Sequence, residues 1–521
     1  MIEVTKVRAF FKISLIALIG VVAGSCANPG LDKSASSGSS SDNSEVLYEG
    51  AITSWMDETL SAYYLYNEEY ASLSRITSLS YDLFLNSTLM QMTGNVLDKK
   101  SYNINGTIYT QLYTYITQSP ISSYTKSSSA TTAVGFGLAS VEYLTLSSVT
   151  GGLTSWINVQ GVYSGSEAAE SGIRRGTVIT IIDGVNVGAL TASEVYAKLM
   201  QPTSGTTITI ATYNEGEGTK SVKLTAKATD INPILKSKVI EDSASGKKIG
   251  YLLYSSFLSA FDSNLKSEIE QFKSAGITDL ILDLRVNGGG YVSSASLLAS
   301  MIGGDITVGK KFSYYRYNSD MTTNYGVTEA ISGAKYDQSN SLFYEMFNTS
   351  IDNSQKLSLS TIYVIATSST ASASEMVINS LRGAGVNVIL VGDTNSINDA
   401  TNGKNAGMIV STKNTTSYSY EFAPISFEIF NGEGEGGYKN GISFDYKVSE
   451  HNSSYYLYDY SETEPLTAKA IALITGSAAT KTEAKAETIS ESSKEYRLIE
   501  RENIQPQNNS SRGAMIIIEN Q

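Results

Sequence analysis

One cysteine and one histidine in 521 residues set the first limits on what this chain can do. A single thiol excludes an internal disulfide and any Cys-rich zinc site, and a single imidazole excludes a centre built from several histidines. A Ser-His-Asp triad would have to use His451, which sits in the polar run S-E-H-N-S-S, a poor motif context for a catalytic imidazole. Charge is scarce as well. Only 17% of the residues are charged and the formal net charge is -13. With no basic stripe beyond the first dozen residues, nucleic acid is not an expected partner.

What is present is apolar material, 41% of the chain, enough to offset the entropy of folding. The length exceeds one ordinary core, so two to four domains are expected. Near the start, Lys6, Arg8 and Lys12 precede an apolar run from Ile13 to Val22, then the small residues A-G-S, then Cys26. This is the layout of a secretory signal, and the run is too short for the ~20 residues that span a bilayer. The cysteine directly after the small residues resembles a bacterial lipobox. Residues 1–26 are therefore read as a lipoprotein signal peptide with Cys26 as the lipidated residue. That places the protein in a bacterial cell envelope, extracytoplasmic and anchored to a membrane.

Residues 27–44 are rich in Ser and Gly and read as a flexible tether. Residues 45–128 carry Trp55, Met56, Leu60, Tyr63 and Tyr64 at helical spacing and read as a small, mostly helical N-terminal domain packed through that stripe. Residues 129–232 shift to short strands between turns, clearest in V-I-T-I-I-D-G-V-N-V and T-T-I-T-I-A-T-Y. Across 233–476 strands and helices alternate. I-G-Y-L-L-Y is followed by a helix with Leu265, Ile269 and Phe272 on one face ending at Gly276, and then by the strand T-D-L-I-L-D-L-R-V. That order demands crossovers, hence an α/β unit with a largely parallel, covered sheet. Residues 477–521 lose periodicity and read as a poorly ordered tail. Its closing A-M-I-I-I-E-N is either a short strand or irregular.

Three local patterns carry chemistry. S-S-T-A-S-A-S-E, Ser368 to Glu375, lies between a predicted strand and a predicted helix. A serine there can meet the free amides and dipole of a helix N-terminus, although an ordinary capping serine gives the same signal. N-G-G-G, Asn287 to Gly290, follows another buried strand, and consecutive glycines let backbone amides approach a ligand atom. With histidine all but absent, the base for a serine nucleophile must be Lys, Asp or Glu. Lys404, in N-G-K-N-A-G, is the best placed by order. It can serve only if burial lowers its pKa by roughly three units, about 4 kcal/mol.

D-L-R-V-N-G-G-G, T-A-S-A-S-E, V-G-D-T with the later G-K, and Y-K-N-G-I-S-F-D occur in the order found in the C-terminal processing (tail-specific) peptidases, and residues 130 to 460 resemble that family. K-F-S-Y-Y-R-Y-N and Y-E-F-A-P-I-S-F resemble its lipoprotein subgroup in Bacteroidetes-type bacteria. The resemblance implies a ClpP/crotonase-like catalytic domain preceded by a β-rich PDZ domain. It also implies Ser372 as nucleophile, Lys404 as base, and an oxyanion hole from the amides of Ala373 and Gly289. Gly135, Phe136, Gly137 and Leu138 stand where a PDZ loop would bind a peptide carboxylate, and S-G-I-R-R-G-T-V-I-T-I-I-D-G matches the PDZ core. Expected partners are protein or peptide substrates held by their C-termini, with no metal or organic cofactor. Three positions depart from the family pattern. Lys404 follows Ser372 by 32 positions, a longer spacing than usual; Met408 replaces a frequent glutamine; and Gly288 replaces a proline. Met408 and the long spacing motivate an alternative, a catalytically inactive, peptide-binding envelope lipoprotein.

Overall fold

The computed structural model describes residues 42–104, 107–120, 131–148, 152–324, 334–394, 399–452, 454–477, 496–504 and 515–518. The signal peptide, Cys26 and the tether up to residue 41 lie outside these residues. Among the described residues no helix is long and apolar enough to cross a membrane.

Residues 234–476, called the α/β unit, are built on a six-stranded sheet. In spatial order its strands are Ile234–Asp242, Lys247–Tyr254, Asp279–Asp283, Thr361–Ala366, Asn387–Asp393 and Tyr446–Val448. All neighbours are parallel except the first pair. Alternation explains why both faces are covered. Leu280 and Leu282 point into a core with Leu265, Ile269 and Phe272 of helix Asp262–Ala275, while Ile281 points into a second core with Leu466 and Ala470 of helix Pro465–Thr475. Helix Asp262–Ala275 stops at Gly276, which takes the left-handed conformation that the sequence pattern requires there.

Residues 138–225 fold around a second sheet with the order Gly218–Thr225, Thr207–Asn214, Val178–Ile182, Leu153–Val162, Leu138–Ser148 and Tyr496–Ile504. Ile208 and Ile210 of Thr207–Asn214 face its core, and the residues between them face outward. Helix Ala192–Met200 packs beside Leu138–Ser148 through Val195 and Leu199.

Two expectations need correction. The stretch 45–128 is helical only over Asp42–Tyr63, Asn67–Ala71 and Tyr81–Leu89; from Lys99 it forms strands, and Tyr115–Pro120 pairs with Tyr418–Ala423 of the α/β unit. The first of these helices begins inside the expected tether. The tail is not wholly irregular either, because Tyr496–Ile504 and Met515–Ile518 are strands. For Tyr115–Pro120 and Tyr496–Ile504 the cause is shared: a strand paired with a residue hundreds of positions away has no local period that announces its partner.

Candidate active site

Ser372 stands between strand Thr361–Ala366 and helix Ala373–Gly383, at φ 61° and ψ -114°. A non-glycine residue in this region stores strain, and the turn that holds it is tied down on all sides. Thr367 Oγ1 donates to the Arg285 carbonyl at 2.6 Å and Thr370 Oγ1 to that of Leu284 at 2.8 Å. The Ala371 amide and Ser374 Oγ both donate to the Asn287 carbonyl, at 3.1 and 3.0 Å. The serine loop and the glycine turn are thus held as one piece. The Ser372 side chain is fully buried, and its Oγ has no hydrogen-bond partner among the described residues.

Lys404 is 1% exposed, and its Nζ is likewise without a hydrogen-bond partner. The preceding Gly403 has φ 92°, and a Cβ there would lie 2.3 Å from the Lys439 carbonyl oxygen, so the G-K pair admits only glycine at its first position. One buried carboxylate joins the two reactive loops. Glu375 accepts from the amides of Ser372 (2.9 Å), Gly403 (2.6 Å) and Lys404 (2.8 Å) and from Thr401 Oγ1 (2.5 Å). Burial pushes its own pKa up.

Burial holds the Lys404 amine down at about 7, against an ordinary 10.5. The negative charges of Asp98 and Glu375 oppose the shift, and Lys100 adds to it. The N-terminal segment supplies much of this enclosure. The Tyr113 ring lies 4.7 Å from Nζ, the Tyr113 hydroxyl donates to Asn402 Oδ1 at 2.9 Å, and Lys100 Nζ donates to the Asn402 carbonyl. Asp98 is buried and accepts from the Tyr64 hydroxyl at 2.6 Å and from the Thr114 amide and hydroxyl at 2.7 and 2.8 Å. Burial raises Asp98 to about 6. None of Asp98, Lys100 or Tyr113 stands out in the sequence. Glu375 does carry a signal, since S-x-x-E at a helix start is the capping-box pattern.

The structure brings Ser372, Lys404, Ala373 and the glycine turn into one buried region, with two differences from expectation. No hydrogen bond joins Ser372 Oγ to Lys404 Nζ. The Gly289 amide, expected to face an oxyanion, instead donates to Asn287 Oδ1 at 2.9 Å. Ala373 is the first residue of its helix, where the amide has no intrahelical acceptor. Met408 is fully buried in an apolar cluster with Met56, Phe422 and Ile425, so it packs where a glutamine would have to be satisfied. His451 lies elsewhere. Its Nε2 meets Glu142 at 2.6 Å in a buried ion cluster, which removes the basis for a histidine triad.

Gly135, Phe136, Gly137 and Leu138 border a small cleft that Leu199 and Met200 also line. Gly137 has φ 95°, and a Cβ there would strike Ser166. The carbonyls of Phe136 and Gly137 accept from the amides of Ala168 and Tyr163 at 2.9 Å each, which fixes the loop.

Residues 248–448 match the family model described as Peptidase family S41. A carboxyl-terminal-processing protease of Synechocystis sp. is 26% identical over 149 residues, covering 28% of this chain and 34% of that protein. The chloroplastic C-terminal processing peptidase of Tetradesmus obliquus is 25% identical over 147 residues, covering 26% and 32%. The chain thus spans about a third of the length of the curated relatives it matches. The crystal structure of a candidate S41 protease from Bacteroides fragilis NCTC 9343 superposes with a TM-score of 0.59 at 21% identity, covering 81% of this chain and 97% of that one, and shows a shared mixed α/β fold. The segment 248–448, which holds the glycine turn, Ser372 and Lys404, is therefore supported as a relative of the S41 C-terminal processing peptidases by the family model, the curated proteins and the fold alike.

Proposed function

We propose that this protein is a serine endopeptidase that cuts protein substrates near their C-termini, with Ser372 as nucleophile and Lys404 as general base. The observation that carries this reading is the pair of buried, unpartnered reactive atoms, Ser372 Oγ and Lys404 Nζ, whose loops share the carboxylate of Glu375. A buried polar atom left without a partner costs stability and persists where function needs it. The lysine meets the electronic requirement of a base: with its pKa near 7, about half is neutral at that pH.

In the first half-reaction, neutral Nζ takes the Oγ proton as Oγ bonds to the scissile carbonyl carbon. The oxyanion is met by the Ala373 amide and by an amide of the glycine turn once Asn287 releases it. The carbon–nitrogen bond then breaks, the leaving amine takes the proton from Nζ, and an ester to Ser372 remains. Water attacks that ester while Nζ again takes a proton, and Oγ leaves reprotonated. The 138–225 unit is read as a PDZ domain, in which Gly135, Phe136, Gly137 and Leu138 hold a substrate's terminal carboxylate and Leu138–Ser148 receives its strand. Lipidation at Cys26 would tether the enzyme to an envelope membrane.

The test is turnover of an unstructured protein with an apolar C-terminus by the chain lacking residues 1–26, beside Ser372→Ala and Lys404→Ala. Cleavage by the parent alone supports the dyad. Three equal rates overturn it and leave a peptide-binding protein. Radiolabelled fatty acid retained by the full chain and lost in Cys26→Ala checks the anchor.

A further inference from the structure

Two strand edges that would receive a substrate under this reading are already taken by the chain itself. Tyr496–Ile504 pairs antiparallel along Leu138–Ser148, from Tyr496 opposite Ser148 to Ile504 opposite Val141. Ile504 is 4% exposed and lies in the same apolar core as Val195 and Leu199 of the neighbouring helix. Its strand runs toward the Gly135–Leu138 loop, the polarity with which a strand-adding peptide would approach a carboxylate-binding loop.

Further along, Met515–Ile518 lies between the two reactive elements of the α/β unit. On one side it pairs parallel with Gly290–Tyr291, directly after the glycine turn, with Met515 opposite Gly290 and Ile516 opposite Tyr291. On the other it pairs parallel with Ala406–Asn414, the strand that follows Lys404, with Ile516, Ile517 and Ile518 opposite Met408, Ile409 and Val410. Unoccupied, these would be two open edges flanking the oxyanion turn and the base, and open edges accept extended chains. Within Tyr496–Ile504 the segment is pinned to its surroundings through Arg501. Arg501 donates to Glu142 of the receiving strand (2.8 Å), to Asp393 (2.8 Å) and to Glu450 (2.6 Å) of the α/β unit.

The geometry points to the strands within 496–518 being a built-in ligand of both edges, and to substrates being extended apolar segments that enter the catalytic slot as a strand, parallel to Ala406–Asn414, by displacing Met515–Ile518. The inference rests on the reading of Ser372 and Lys404 as a peptidase centre. It also accounts for the enclosed serine, the unmade Oγ–Nζ hydrogen bond and the Gly289 amide turned onto Asn287, since a self-occupied slot has no carbonyl to receive. The M-I-I-I sequence states the preference: uncharged apolar residues, three of the four β-branched and suited to a strand.

Ile516→Pro removes an amide donor from the central position of the inserted strand, and Ile504→Asp places a charge in the apolar groove of the other. In the full chain each variant should cleave an unstructured protein with an apolar tail about tenfold faster than the parent. A synthetic peptide of residues 496–521 should bring the rate back down. The second readout needs no turnover. In a Ser372→Ala background, the fluorescently labelled peptide should bind the Ile516→Pro protein at least tenfold more tightly than the protein with its own strand intact. Equal binding to both overturns the inference even if cleavage proceeds, and parent-like cleavage rates in both variants do the same. Tighter binding with no cleavage by any form upholds the built-in ligand and overturns the peptidase reading instead.

Discussion

Around Arg285 and Arg501 buried charges are met by opposite charges, whereas Ser372 Oγ and Lys404 Nζ have no hydrogen-bond partner among the described residues. Arg285 is fully buried, yet its guanidinium donates to Asp283 at 2.9 Å and to both oxygens of Glu464 at 2.8 and 2.9 Å. Arg501 closes three further carboxylates, and Arg175 reaches Glu450 at 2.7 Å. In this cluster the charges lower the carboxyl pKa of Glu142 to about 2, although burial alone would raise it. At Lys404 burial wins over the more distant Asp98 and Glu375, and the amine falls to about 7. The same degree of burial therefore gives permanent charge in one region and an easily deprotonated amine in the other; the difference lies in how closely the opposite charges approach. One region is finished for architecture and the other is left unfinished for chemistry.

The sharpest way to break this comparison is at the reacting atoms. Ser372→Ala should reduce kcat by a thousandfold or more, on the order seen when a nucleophile is removed, with the thermal transition little changed. In the parent, kcat/KM should climb about tenfold per pH unit below 7 and level off above, because the active form of Lys404 is the deprotonated one. A profile flat between pH 5 and 8 would contradict the assignment.

Next in size is the paired cluster. Arg285→Leu leaves Asp283 and Glu464 buried without their cation and should cost roughly 3–5 kcal/mol in denaturant unfolding. Lys404→Met should move stability the other way. Depressing a lysine from 10.5 to about 7 corresponds to roughly 5 kcal/mol of disfavoured charge, so an apolar side chain of similar length should stabilise the inactive protein by about 1–3 kcal/mol at pH 7. Equal stability of parent and variant at pH 7 would mean that the amine is solvated. The smallest effect belongs to His451→Gln, with turnover within about twofold of the parent, whereas a histidine triad would lose it entirely. Glu142 raises the His451 pKa in the folded state. Its contribution to stability is therefore present below the unfolded value and fades as pH rises through the folded one, so parent and variant should differ more at pH 6 than at pH 9.

Much of the site could be placed in advance because its parts are local. A buried strand, a turn and a helix are each announced within about ten residues, so the junctions at Ser372 and at Asn287–Gly290 were legible from the period alone. The G-K pair was legible too, although why Gly403 is required appears only when the Lys439 carbonyl lies against it. Asp98 and Tyr113 were not legible, because a buried acid or a tyrosine in a strand-rich stretch looks like core or surface until its partner is known. Nor was the strand at Tyr496–Ile504, whose surroundings are polar enough to read as tail, whereas A-M-I-I-I-E-N already allowed the short strand found at Met515–Ile518.

The sequence by itself determined the kinds of chemistry available. A single histidine left Lys, Asp or Glu as the base to consider for a serine, with Lys404 best placed by order, and alternating strands and helices dictated a covered α/β sheet. Whether that lysine can lose its proton near neutral pH is a matter of tertiary structure alone. Its protonation depends on the water excluded by Tyr113 and on the charges of Asp98 and Glu375, and Tyr113 touches the lysine loop across 289 positions of chain. Burial and electrostatic approach are properties of distance in space, and no local pattern of residues encodes them.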